Sequence, residues 1–324
     1  MKHWVEYLQT RTDDKGIVVR EEPNGWCLGE WSTPHNRIEI PASLVNTAYF
    51  YHVTCIMADV AGILNKKNDE HHLRTLAETI RKNFNAAFYN EATHHYGEGK
   101  QGADVFALAF GLVPDGKREK VFAALLGHLE KVNYHFDTGI LATPLLLQVL
   151  TENGRADLAY KLMNQRDFPS YGYLADKKNN TLWETWNGDG NDEGCGHCHP
   201  MFGSVVAWFY HSLAGIKPDQ SDPGMKHFYI EPMIVPDLKY CRATYDSQYG
   251  KISSDWKIDE NGNLNIKIEV PANTSATVII PDWGGRTVLE SGKPVSEVSN
   301  IVIDKVDSAW MEVSSGVYHF VILK

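Results

Sequence analysis

The period of the apolar residues changes along this chain, so one layer type cannot serve both parts. From Ser43 to Leu64 they recur at Val45, Tyr49, Val53, Ile56, Val60 and Leu64. Steps of three and four are those of an amphipathic helix. Leu73, Leu76, Ile80, Phe84 and Phe88 repeat the pattern, with Asn68-Asp69 as the expected cap. Further helices are expected at 3–10, 101–112, 117–131, 139–152, 154–164 and 202–214. Short connectors such as VPDGK and TENGR separate them. Past Pro218–Pro223 the period becomes two. Leu264, Ile266, Ile268 and Val270 point one way, with Asn265, Lys267 and Glu269 between them. Asn261-Gly262 and Glu290-Ser291-Gly292 have the composition of hairpin turns, and VYHFVILK reads as a last strand. The expected architecture is mainly α: helices paired as in a bundle or an α/α toroid over residues 1–218. A small antiparallel β-domain, a sandwich, follows over 219–324 as a structural appendage.

Charge and composition remove several function classes. The net charge of −10 with no Lys/Arg run gives no footprint for nucleic acid. No window approaches the roughly 20 apolar residues of a membrane span. The N-terminal MKHWVEYLQTRTDD lacks the apolar core of a signal peptide, which leaves the compartment open. Cys27, Cys55, Cys195, Cys198 and Cys241 are odd in number and scattered, so no disulfide framework is expected.

The densest chemistry lies in NTLWETWNGDGNDEGCGHCHPMFGS, residues 180–204. Cys195, His197, Cys198 and His199 are all possible zinc ligands. Five adjacent residues rarely supply four tetrahedral ligands, and the other cysteines are single, so no metal and no cofactor is expected. Glu184 lies between Trp183 and Trp186. Large aromatics beside a carboxyl can desolvate it and raise its pKa, which suits proton transfer. A surface glutamate whose aromatics turn inward fits the spacing equally well. A glycosidase needs two carboxylates flanking one bond, and periodicity does not name the second.

NTLWETW followed by HPMFGSVVAWFYHSLAGI resembles the signature of the bacterial α-L-rhamnosidases of glycoside hydrolase family 78. That family has T-x-W-E-x-W followed by N-H-x-M-F-G. Cys198 stands where the family has Asn, and His199 matches its His. Gly29-Glu30-Trp31 resembles the family's G-D-W, with Glu for Asp. Asp137-Thr138-Gly139-Ile140 and Gln101-Gly102-Ala103 also have counterparts. YIEPMIVPDLKYCRATYDSQYGKISSDW resembles the β-sandwich that follows the toroid.

The resemblance implies an (α/α)₆ barrel and an inverting mechanism, with Glu184 as the general base. It implies that Glu30 and Trp31 line a rhamnose pocket, with Trp183, Trp186 and His199 near the sugar. The expected partner is a rhamnose-containing oligosaccharide or glycoside. The family's general acid lies in an upstream segment that has no counterpart here. About eight helices precede the sheet, too few for a complete toroid. The chain is therefore expected to be a truncated form, with self-association across the incomplete barrel. Glu30, Asp104, Asp137 and Asp176 are the candidate replacement acids, Glu30 first if it faces the cavity. Two other functions fit the sequence: a non-catalytic rhamnose-binding protein, and another toroid enzyme such as an unsaturated uronyl hydrolase or a lyase. The latter act on acidic sugars and need basic residues in the pocket. Lys177 and Lys178, the nearest to Glu184, lie one loop away.

Overall fold

The computed structural model describes residues 1–19, 29–35, 39–177, 181–187, 196–280, 285–299, 301–305 and 310–324. They form two compact units, Met1–Gly203 and Ser204–Lys324.

The first unit is helical: α1 (Lys2–Thr10), α2 (Ala42–Ile63), α3 (Lys67–Phe88), α4 (Gln101–Phe110), α5 (Arg118–Lys131), α6 (Ala142–Glu152), α7 (Ala156–Asn164), α8 (Tyr171–Asp176) and α9 (Pro200–Gly203). Consecutive helices pair as hairpins α2–α3, α4–α5 and α6–α7. The first member of each also packs on the next hairpin, α2 on α4 and α4 on α6, and α6 meets α9. The sequence explains which helices are inside. Every residue of α4 from Gln101 to Leu108 is buried, and α6 buries Ala142, Thr143, Leu146, Leu147, Val149, Leu150 and Thr151. Such helices are apolar nearly all round and need protein on both sides. By contrast α3 buries only Leu73, Ala77, Ile80 and Phe84, and α5 only Val121, Leu125 and Leu129. Single stripes at these spacings belong to an outer layer. The outcome is the paired α/α arrangement expected from the sequence.

Local differences have local causes. Helix α3 starts at Lys67, before the expected cap, and no side chain caps it. Asp69 instead lies in its first turn and bonds Lys2 of α1 at 2.9 Å. The short α8 has no periodic signal; Ser170 caps it by accepting from the Tyr173 amide at 3.0 Å. No helix among the described residues is long and apolar enough to cross a membrane.

The second unit begins before the change of period. The helix expected over 202–214 ends at Gly203, and α10 (Val205–Trp208) and a π-turn (Phe209–Leu213) follow. The Trp256 indole donates to the Leu213 carbonyl at 2.7 Å, and the Ser254 hydroxyl to that of Ala214 at 2.7 Å. These bonds, and burial of Ala214 and Ile216 in the sheet's core, fix this segment to the second unit.

The strands are β1 (Ile216–Pro218), β2 (His227–Ile230), β3 (Tyr240–Ser247), β4 (Gly250–Ile258), β5 (Leu264–Ile279), β6 (Val288–Glu290), β7 (Lys293–Pro294), β8 (Ile301–Lys305) and β9 (Trp310–Ile322). The long strands β5 and β9 pair throughout, with a register break between Val270 and Ser275. Before the break β5 also pairs with β4; after it, with β2. At its two ends β9 pairs with β8 and β6. Two half-sheets thus share β5 and β9. Trp256, Ile268 and Phe320 from one half join Phe228, Val278 and Val313 from the other in a single core, as in a sandwich. Asn261-Gly262 closes the β4–β5 hairpin. Ser291 and Gly292, both at positive φ, turn β6 into β7. One pair departs from the expected antiparallel order: β2 runs parallel to β5. A parallel pair requires a crossover rather than a hairpin, and β3 and β4 supply it.

Candidate active site

The segment carrying Glu30 and Trp31 is laid across the N-terminus of α6. The Gly139 amide donates to Glu30 Oε1 at 2.6 Å and the Ala142 amide to the same oxygen at 3.1 Å. The Ile140 amide donates to the Trp31 carbonyl at 2.9 Å. A helix start leaves amides without intrahelical acceptors, and a carboxyl there satisfies them. The approach is so close that a Cβ at Gly139 would lie 1.8 Å from the Trp31 oxygen, so residue 139 has to be glycine. Glu30 is 1% exposed. Its Oε2 is buried with no hydrogen-bond partner among the described residues. Burial therefore dominates, and pushes its pKa up to about 8 against the pull of the amides.

Glu184 sits on a loop paired with residues 196–199. Its amide donates to the Gly196 carbonyl at 2.8 Å, and the His199 amide donates to the Leu182 carbonyl at 2.8 Å. The Thr181 hydroxyl donates to the His197 carbonyl. The carboxylate is held at both oxygens. The Gly196 amide donates to Oε2 at 2.7 Å, and the Trp31 indole to Oε1 at 2.8 Å. These bonds, Gly196 first, then Trp31, and the nearby His199, hold its pKa below the ordinary carboxylate value. They outweigh a desolvation that acts the other way. The rise expected from its flanking tryptophans is corrected here. Their rings do not enclose the carboxylate, and two N–H donors favour its charged form.

The two tryptophans part company. Trp183 is partly buried and stacks on the exposed imidazole of His197, with centroids 4.0 Å apart. Trp186 is 1% exposed. It stacks on Phe136, packs against Tyr171 and Phe202, and donates its indole N–H to the Thr138 carbonyl at 2.9 Å. A ring buried on all sides cannot touch a sugar. Trp186 anchors the loop and lies away from solvent, where the resemblance had implied a place near the sugar. Glu30, implied to line the same pocket, is turned into the protein. Trp31, Trp183, Glu184 and His199 remain partly accessible.

The other candidate acids are engaged elsewhere. Asp104 is fully buried and accepts from His95 Nδ1 at 2.6 Å and the Tyr96 amide at 2.8 Å. Asp137 meets His128 Nε2 at 2.6 Å and the Gln101 amide at 3.1 Å, and Asp176 pairs with Arg166. Cys27 and Cys195 lie outside the described residues; Cys198 is exposed. Among the described residues no three His, Cys, Asp or Glu side chains form a metal-binding group. Sequence reasoning missed Gly196, whose contribution is a backbone amide, and His197, whose stacking on Trp183 only the loop pairing reveals.

Residues 1–213 match the model of the bacterial α-L-rhamnosidase six-hairpin glycosidase domain, and residues 215–293 that of the bacterial α-L-rhamnosidase C-terminal domain. An α-L-rhamnosidase of Streptomyces avermitilis is 34% identical over 284 residues, 86% of this chain and 26% of that protein. One of Formosa agariphila is 29% identical over 328 residues, 99% of this chain and 35% of that protein. Among solved structures, the Streptomyces avermitilis enzyme complexed with L-rhamnose superposes with a TM-score of 0.85 at 32% identity, over 99% of this chain and 30% of its own. The α-L-rhamnosidase of Dictyoglumus thermophilum gives 0.87 at 32% identity, over 100% of this chain and 36% of its own. The chain thus spans about a quarter to a third of the length of these relatives.

Proposed function

The chain belongs to the bacterial α-L-rhamnosidase family, and on that premise we propose that it acts in the hydrolysis of terminal α-L-rhamnosides with inversion, Glu184 serving as general base. One observation carries the proposal: Glu184 is an accessible carboxylate clamped at both oxygens by Trp31 and Gly196. A general base must be ionised and must not rotate away from its water. The depressed pKa meets the first need and the two donors meet the second. In the proposed step a water oxygen attacks the anomeric carbon while its proton passes to Glu184. The bond to the leaving oxygen breaks, and that oxygen takes a proton from an acid on the opposite face. Trp31, Trp183 and His199 offer apolar ring faces and a hydrogen-bonding imidazole to the sugar. The first unit, which holds Glu184, carries this chemistry, and the second forms an appendage.

The general acid is the open part of the proposal. Asp104 and Asp137 each hydrogen-bond a histidine and Asp176 pairs with Arg166, which favours a second reading, rhamnose binding without turnover. Rhamnose release from an aryl α-L-rhamnoside, by this chain beside Glu184→Gln, tests both. An active chain with a dead variant supports the base. Two inert proteins that still bind rhamnose in a titration support the binding protein. Activity that survives Glu184→Gln removes the assignment. The molar mass in solution reads out self-association.

A further inference from the structure

We propose that Glu30 is a positioning residue: it anchors the Trp31 segment on the N-terminus of α6 as an uncharged hydrogen-bond acceptor, and through the Trp31 indole fixes the Glu184 carboxylate. The inference deepens the general-base reading of Glu184 and rests on it for its catalytic meaning.

Each link of the chain is a short, specific contact. The Gly139 and Ala142 amides hold Glu30 Oε1, and the Ile140 amide holds the carbonyl of the next residue, Trp31. Two amides of the turn leading into α6 and that of its first residue therefore grip two consecutive residues. Gly139 admits this grip because a side chain there would strike the Trp31 carbonyl. From the gripped residue the indole Nε1 reaches Glu184 Oε1 at 2.8 Å. Residues 31 and 184 are far apart in sequence, and both belong to non-helical segments. Without an anchor, the indole of a loop residue would sample several rotamers, and its bond to Glu184 would be intermittent. The anchor is uncharged because Oε2 is buried with no hydrogen-bond partner among the described residues, and the two amides on Oε1 do not replace the hydration an anion would lose. The raised pKa of Glu30 agrees with this. Asp137 and Tyr49 are the titratable groups whose fields couple to Glu30, and His199 is the one that couples to Glu184. A mere capping role would stabilise α6 and leave the ionisation of Glu184 untouched. A positioning role connects the two.

The test is the carbon-13 titration of the Glu184 side-chain carboxyl in the wild-type chain, Trp31→Phe, Glu30→Gln and Glu30→Ala. It does not depend on turnover, so it separates failure of this inference from failure of the rhamnosidase reading. Trp31→Phe removes the indole donor and is expected to move the Glu184 midpoint up, towards the ordinary carboxylate value. Glu30→Ala is expected to move it up by a similar amount, because the indole is released. Glu30→Gln keeps an acceptor for both amides and is expected to leave it in place. A Glu184 midpoint that Trp31→Phe moves and Glu30→Ala does not would overturn the proposal. So would a Glu30→Gln variant that behaves like the alanine. If Glu30→Ala does not fold, the Trp31 indole nitrogen-15 resonance decides. In the wild type it should shift as pH passes about 8, where Glu30 ionises, and in Glu30→Gln that inflection should vanish. An inflection that persists in Glu30→Gln belongs to another group and overturns the proposal.

Discussion

Two glutamates joined by one tryptophan occupy opposite electrostatic settings. Around Glu184 the loop leaves the carboxylate partly open and supplies an N–H donor to each oxygen. Around Glu30 the packing closes completely and both amides converge on a single oxygen. Both carboxyls accept two N–H bonds, yet their pKa values move apart. The number of donors is therefore not what separates them. Desolvation is: it is the leading influence at Glu30, and at Glu184 it is outweighed. On the roles proposed for the two glutamates, one carboxyl is an anion for chemistry and the other a neutral strut.

The largest expected effect breaks the anionic side of this pair. Glu184→Gln should lower rhamnose release by roughly 10²–10⁴-fold, the typical worth of acid–base assistance, in an aryl rhamnoside assay. Thermal stability should fall slightly, because the amide oxygen accepts only one of the two bonds and the charged acceptor is lost.

Next in size is the contact beneath the neutral strut. Gly139→Ala places a methyl group inside the Trp31 carbonyl. The two segments must separate, at an expected cost of about 1–3 kcal/mol in urea unfolding, the range of overpacked core substitutions.

The comparison is sharpened by pH. The folded pKa of Glu30 lies at about 8, above its ordinary value of 4.5. The native state therefore holds the proton more tightly than the unfolded chain. That contribution is fully present below 4.5 and is lost as pH rises through about 8. Glu184 has the opposite sign. Its lowered pKa gives stability that is present above the ordinary carboxylate value and lost as pH falls through the folded one. Unfolding free energy followed from pH 5 to 9 should fall more steeply in the wild type than in Glu30→Gln, which cannot ionise. Equal slopes would mean that Glu30 is not buried as a neutral acid.

The smallest effect tests the difference between Trp183 and Trp186. Trp186→Phe retains an aromatic ring among Phe136, Tyr171 and Phe202 but loses the bond to the Thr138 carbonyl. The expected loss is about 1–2 kcal/mol of stability, with one buried carbonyl left unpaired, and no change in rhamnose affinity. A weakened affinity with unchanged stability would return Trp186 to the sugar.

Much of this protein was determined by the sequence alone. The periods of three to four and of two showed that a helical part precedes a part of strands, because each secondary structure repeats its buried face at its own interval. The motif around Trp183 and Glu184, together with His199, pointed to the family, and the base proposed here is its glutamate. The tertiary structure decided what periodicity cannot carry. The inner or outer place of each helix depends on how many faces its neighbours cover. The parallel pairing of β2 with β5 depends on a crossover between distant segments. Trp183 and Trp186 read alike in sequence, but one lies at the loop surface and the other in an aromatic cage. Glu30 read as a wall of a pocket, and its carboxyl lies buried against the Gly139 and Ala142 amides. Ionisation depends on burial and on backbone amides, and residues 30, 139, 142, 184 and 196 acquire those only when the chain brings them together.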